Sequence, residues 1–161
     1  MPARVLRLVL ILLISAACAT PISAPSPWTA VESVCAPVFV DLTPLAGVSE
    51  YYYLAIDGLD PSDSYLSHLI SLARATGRSE NLRKRSQLKA DQAGEPLLKA
   101  VNLSCGGLRW ETGDRARVSG SGLIAPFPGQ AFVLGGHGQQ YLLERQRGAW
   151  VIIRKEGFWV S

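Results

Sequence analysis

The sequence predicts an α+β domain: an antiparallel sheet closing in a C-terminal meander, with one main helix packed across it. Three observations predict it. Residues 61–75 carry Tyr65, Leu66, Leu69, Ile70, Leu72 and Ala73, spaced at three and four as one buried helical face requires. Beyond Pro96 the chain turns to short runs rich in Val, Ile, Tyr and Trp, separated by Gly-containing turns. The last stretch, residues 140–161, reads as two tight hairpins in succession, with turns at 146–148 and 156–157.

The elements follow in order. Ser26-Pro27 can open a helix, with Ser as the cap and Pro at the first helical position. That helix spans residues 28–35, or runs on to Phe39 with a break near Pro37, and carries Trp28, Val31, Val34 and Cys35 on one face. Residues 51–56 are rich in Tyr and apolar side chains and end at Asp57-Gly58, which reads as a strand and turn. Asp60-Pro61 starts the main helix and Gly77 stops it. Residues 77–94 are polar and weakly patterned, the sign of an exposed segment.

Strands are then expected over 97–110, with a bulge at Gly106-Gly107, and over 115–123 after the turn Thr112-Gly113-Asp114. Pro126 and Pro128 mark a loop, a short strand covers 131–134, and Gly135-Gly136-His137-Gly138 turns the chain. In the run 149–155 both faces carry apolar residues, so this strand is expected at the centre of the sheet with Trp150 in the core.

The N-terminus does not belong to this domain. Arg4 and Arg7 precede an unbroken apolar run at 8–14 and the small residues Ser15-Ala16-Ala17, so residues 1–17 read as a secretory signal peptide. The run is far shorter than the ~20 residues that a membrane-spanning helix needs. Residues 19–27, Ala-Thr-Pro-Ile-Ser-Ala-Pro-Ser-Pro, form a Pro/Ser linker with no core-forming pattern. The organisation is therefore signal 1–17, lipidated N-terminus and linker 18–27, and one domain at 28–161.

The mature chain from Cys18 keeps 14 of the 16 Lys and Arg against 13 Asp and Glu, a net charge of +1. Such a chain has no global field with which to gather nucleic acid. Cysteine arithmetic gives three thiols, Cys18, Cys35 and Cys105. An odd thiol in an exported protein needs an explanation, and a lipid on Cys18 leaves Cys35 and Cys105 as an even pair for a disulfide in an oxidising compartment.

The segment Ile14-Ser15-Ala16-Ala17-Cys18 resembles the lipobox at which bacterial lipoproteins are lipidated and cleaved. The resemblance implies a membrane tether at Cys18. Because Ala19 is not the Asp that retains lipoproteins in the inner membrane, it also implies an outer-membrane address facing the periplasm. Ordinary cleavage after Ala17-Cys18-Ala19 or after Ile22-Ser23-Ala24 would instead give a soluble periplasmic or secreted protein. Residues 141–153, Tyr-Leu-Leu-Glu-Arg-Gln-Arg-Gly-Ala-Trp-Val-Ile-Ile, resemble the closing hairpin of NTF2-like or cystatin-like α+β domains. Residues 53–63 are similar to a strand-to-helix passage in small bacterial exported proteins. Neither resemblance brings catalytic residues with it.

Candidate chemistry is sparse. His68 and His137 are the two histidines, the first on the main helix and the second in the Gly-rich turn. Asp57, Asp60 and Asp63 lack the alternating ligands and distal Glu of a calcium loop, and read as turn, cap and helix-start residues. Ser119-Gly120-Ser121-Gly122 lacks the spacing of a nucleophile elbow. With no His-Glu-x-x-His or Cys-x-x-Cys, the sequence points to no metal and no cofactor.

A basic strip over 74–89 holds Arg74, Arg78, Arg83, Lys84, Arg85 and Lys89 against Glu80. Arg78, Arg83, Lys84 and Arg85 are the candidate contacts to anionic lipid or an acidic envelope protein. The function expected on these grounds is a non-catalytic envelope lipoprotein, an α+β binding or interaction module. The alternatives are an exported hydrolase-type enzyme, or a small secreted inhibitor presenting the loop 125–130.

Overall fold

The computed structural model describes residues 28–44, 50–94, 100–124 and 135–160. The expected signal peptide, Cys18, the expected linker, the loop 125–130 and the strand expected over 131–134 lie outside the described residues.

The fold is α+β: six strands in one mostly antiparallel sheet, with three helices. In chain order these are α1 (Ala30–Leu42), β1 (Tyr51–Ile56), α2 (Asp63–Ala75), β2 (Leu82–Lys84), α3 (Leu88–Gly94), β3 (Ala100–Thr112), β4 (Arg115–Ile124), β5 (Gly136–Gln146) and β6 (Ala149–Val160). The strand order is β2-β1-β3-β4-β5-β6. β1 runs parallel to both β2 and β3, and every pair from β3 to β6 is antiparallel.

Helix α1 begins at a capping box. Thr29 accepts the Glu32 N–H on its hydroxyl, and Glu32 returns its carboxylate to the Thr29 N–H. The expected break at Pro37 does not occur, and α1 is as long as α2 at 13 residues. Pro37 brings no N–H to the helix ladder. Burial of Val34, Cys35, Val38, Phe39 and Leu42 holds the helix through it. Two helices of equal length therefore stand where one main helix was expected. α2 starts at Ser62, whose hydroxyl accepts the Tyr65 N–H, two residues later than the Asp60-Pro61 start.

One face of the sheet and the two long helices enclose the core: Tyr52, Leu54, Leu103, Cys105, Ala116, Val118, Tyr141 and Leu143 against Val34, Cys35, Val38, Phe39, Tyr65 and Leu69. The disulfide Cys35–Cys105 joins α1 to β3 inside it. Gly120 permits this packing, because a Cβ there would stand 2.7 Å from Val38 Cγ1 and 2.8 Å from the Tyr141 ring. On the other face α3 covers Tyr53 and Ala100, and the Tyr53 hydroxyl donates to Asp91 at 2.7 Å.

Three further expectations are corrected. β6 is an edge strand, so Trp150 is half-buried rather than central. The turn expected at Glu156-Gly157 is a bulge within continuous β6, with Gly157 at φ 59°, so 140–160 form one hairpin. Its loop is Arg147-Gly148, both at positive φ. His137 is not in a turn but in β5, opposite Gly122.

Candidate functional site

A groove of about 950 Å³ runs along the outer side of α1. Its floor is a helical stripe of small residues, Ala30, Ser33, Pro37 and Val40, which the three-and-four spacing of a helix puts on one side. One wall comes from α2 through His68 and Leu72 and from its C-cap Thr76, with Trp28 at the near end. The opposite wall comes from the tips of two hairpins: Trp110 and Gly113 from β3–β4, and Arg145, Gly148, Ala149 and Trp150 from β5–β6. Three of the four tryptophans of the chain line this one groove.

The aromatic groups are held in two clusters. The Trp28 ring stacks on His68, with centroids 5.4 Å apart and planes at 26°, and meets Tyr65 edge-on at 5.6 Å. Tyr65 is itself fixed, because its hydroxyl donates to the Glu32 carbonyl at 2.5 Å. Across the groove, Trp110 and Trp150 meet at 5.6 Å. Among the lining residues Arg145 is the sole Lys or Arg, and there is no carboxylate. The surface is therefore apolar and aromatic with one cation at its rim. It offers ring stacking and dispersion contact.

Most other residues singled out from sequence serve the fold. Arg78 donates to the Thr43 carbonyl at the end of α1, at 2.9 Å. Arg83 pairs with Asp91 of α3 at 2.8 Å and lies over the Tyr51 ring. Lys84 pairs with Asp63 at the start of α2 at 2.7 Å, and Arg74 with Glu80 at 2.6 Å. Arg85 is exposed. Within the basic strip, Arg83 and Lys84 are thus engaged by Asp91 and Asp63 and sit in β2 rather than in a solvated segment.

The three aspartates also part company. Asp57 takes a positive φ in the turn after β1 and accepts the Gly107 N–H at 2.7 Å. Asp60 accepts the Ser86 N–H at 3.1 Å, and bonding to Ser86 holds its carboxyl below the usual range. Ser119 to Gly122 lie within β4, where Ser121 and Ser104 share a hydroxyl–hydroxyl bond of 2.7 Å. Among the described residues no group of three His, Cys, Asp or Glu could hold a metal, and no helix is long and apolar enough to cross a membrane.

Sequence reasoning missed the groove because its tryptophans come from three separate parts of the chain: the lead into α1, β3 and β6. Compared with known protein families, curated proteins and solved structures, the chain matches none.

Proposed function

We propose that this protein is a non-catalytic binding module of the bacterial envelope, tethered by lipid on Cys18, and that the tryptophan groove is its binding surface. The observation that carries the reading is the convergence of Trp28, Trp110 and Trp150 on one open groove. Trp110 is 51% exposed, a large apolar surface kept in water. Exposed tryptophan side chains gathered in a concavity are the usual anchors of recognition surfaces.

The signal layout of 1–17 and the linker 19–27 support the tether, since a Pro/Ser spacer separates a domain from a membrane surface. The test is co-sedimentation of the mature chain bearing Cys18→Ala with isolated cell envelopes. Retention that disappears in the Trp110→Ala/Trp150→Ala variant supports the reading, and equal retention of both rejects it.

A further inference from the structure

We infer that β6 pairs with β6 of a second copy of this chain, antiparallel and about a two-fold axis at Lys155. Of the seven large hydrophobic side chains that stand exposed among the described residues, five lie on β6: Val151, Ile153, Phe158, Trp159 and Val160. That concentration falls on a 12-residue strand whose outer edge has no partner strand among the described residues, a template for backbone pairing.

The strand is complementary to itself reversed. Pairing across the sheet fixes which face each residue occupies. Trp150, Ile152, Lys155 and Val160 sit opposite Arg145, Leu143, Tyr141 and His137, and so share the helix-covered face. The ring contact between Phe158 and His137 puts Phe158 there too. Val151, Arg154, Glu156 and Trp159 share the other face. Reversal about Lys155 then sets Trp150 against Val160, Ile152 against Phe158 and Val151 against Trp159. Every such pair is apolar and on one face. It also sets Arg154 against Glu156 twice, an opposite-charge pair that each chain already makes within itself and that the reversed copy extends across the seam.

Bulges and charges often blunt strand edges. Here the two irregularities of β6 fall at Ile153 and Gly157, each two residues from Lys155, so the reversed copy meets bulge with bulge. The Lys155 ammonium groups would face each other, but each is neutralised by its own Asp41 at 2.5 Å. The opposite edge, β2, has three residues and offers no comparable surface.

The experiment uses the mature chain with Cys18→Ala. Light scattering should give twice the monomer mass. Lys155→Cys should close a symmetric disulfide under mild oxidation, because directly opposed antiparallel positions lie about 4.5–5.5 Å apart at Cα, within disulfide range. Ser71→Cys, exposed on α2, should stay uncrosslinked. Arg154→Glu should weaken the dimer at least tenfold, and Arg154→Glu/Glu156→Arg should restore it. A monomeric mass, crosslinking of Lys155→Cys no faster than Ser71→Cys, or a dimer indifferent to the charge swap overturns the inference.

Discussion

The rings of Trp110 and Trp150 meet at 5.6 Å with planes 52° apart, across the tips of two different hairpins. This contact makes one wall of the groove from residues that neither hairpin supplies alone. Both side chains keep part of their surface in water, so truncating Trp110 or Trp150 to Ala should cost only about 1–2 kcal/mol. Tyr141, fully buried on the neighbouring strand, should cost about 3–5 kcal/mol on truncation. Denaturant unfolding of the variants measures both, and equal losses would return Trp150 to the core.

The disulfide spans a separation of 70 residues and ties α1 to the centre of the sheet. In the chain-entropy description, removing it through Cys35→Ala/Cys105→Ala should destabilise the domain by roughly 4 kcal/mol. Thiol titration of denatured, non-reduced Cys18→Ala protein should find no free thiol. Two would refute the bond.

Alkaline pH should unfold the domain through its tyrosines. Burial, before any other cause, pushes the phenols of Tyr52, Tyr53, Tyr65 and Tyr141 above their ordinary range. The charges of Glu50, Asp91, Glu32 and Asp41 beside them act in the same direction. A raised folded-state value means the stabilisation is whole below the unfolded phenol value of ~10 and is lost as pH rises beyond it. Phenolate absorbance from these side chains should therefore appear together with loss of the circular dichroism signal. Their ionisation near pH ~10 in a still-folded protein would contradict this.

Much of this architecture is legible in the chain, for identifiable reasons. The spacing of Tyr65, Leu69 and Ala73 marks α2, because one amphipathic face faces the core. α1 is legible only in part: Pro37 reads as a break, and what overrides it is burial of Val34, Val38 and Phe39, which appears only once the sheet exists. β2 is hidden because three residues carry little periodicity, and parallel pairing with β1 is a long-range choice. β6 misleads because apolar residues on both faces also describe an exposed edge. The groove is least legible: local patterning says nothing of where Trp28, Trp110 and Trp150 meet.

Lipidation at Cys18 should decide where the protein resides. The Cys18→Ala chain should move from the membrane to the soluble fraction and lose labelling by a fatty-acid analogue. Unchanged membrane association would place the attachment elsewhere.

The groove is tested most directly by photo-crosslinking in cells. A photoreactive amino acid replaces Gly113, inside the groove at the β3–β4 turn, or Leu59, which is 73% exposed on the connection after β1 and outside it. The account predicts a discrete adduct from position 113 that disappears when Trp110→Ala is added, and none from position 59. No adduct from position 113, or the same adduct from both positions, would contradict it.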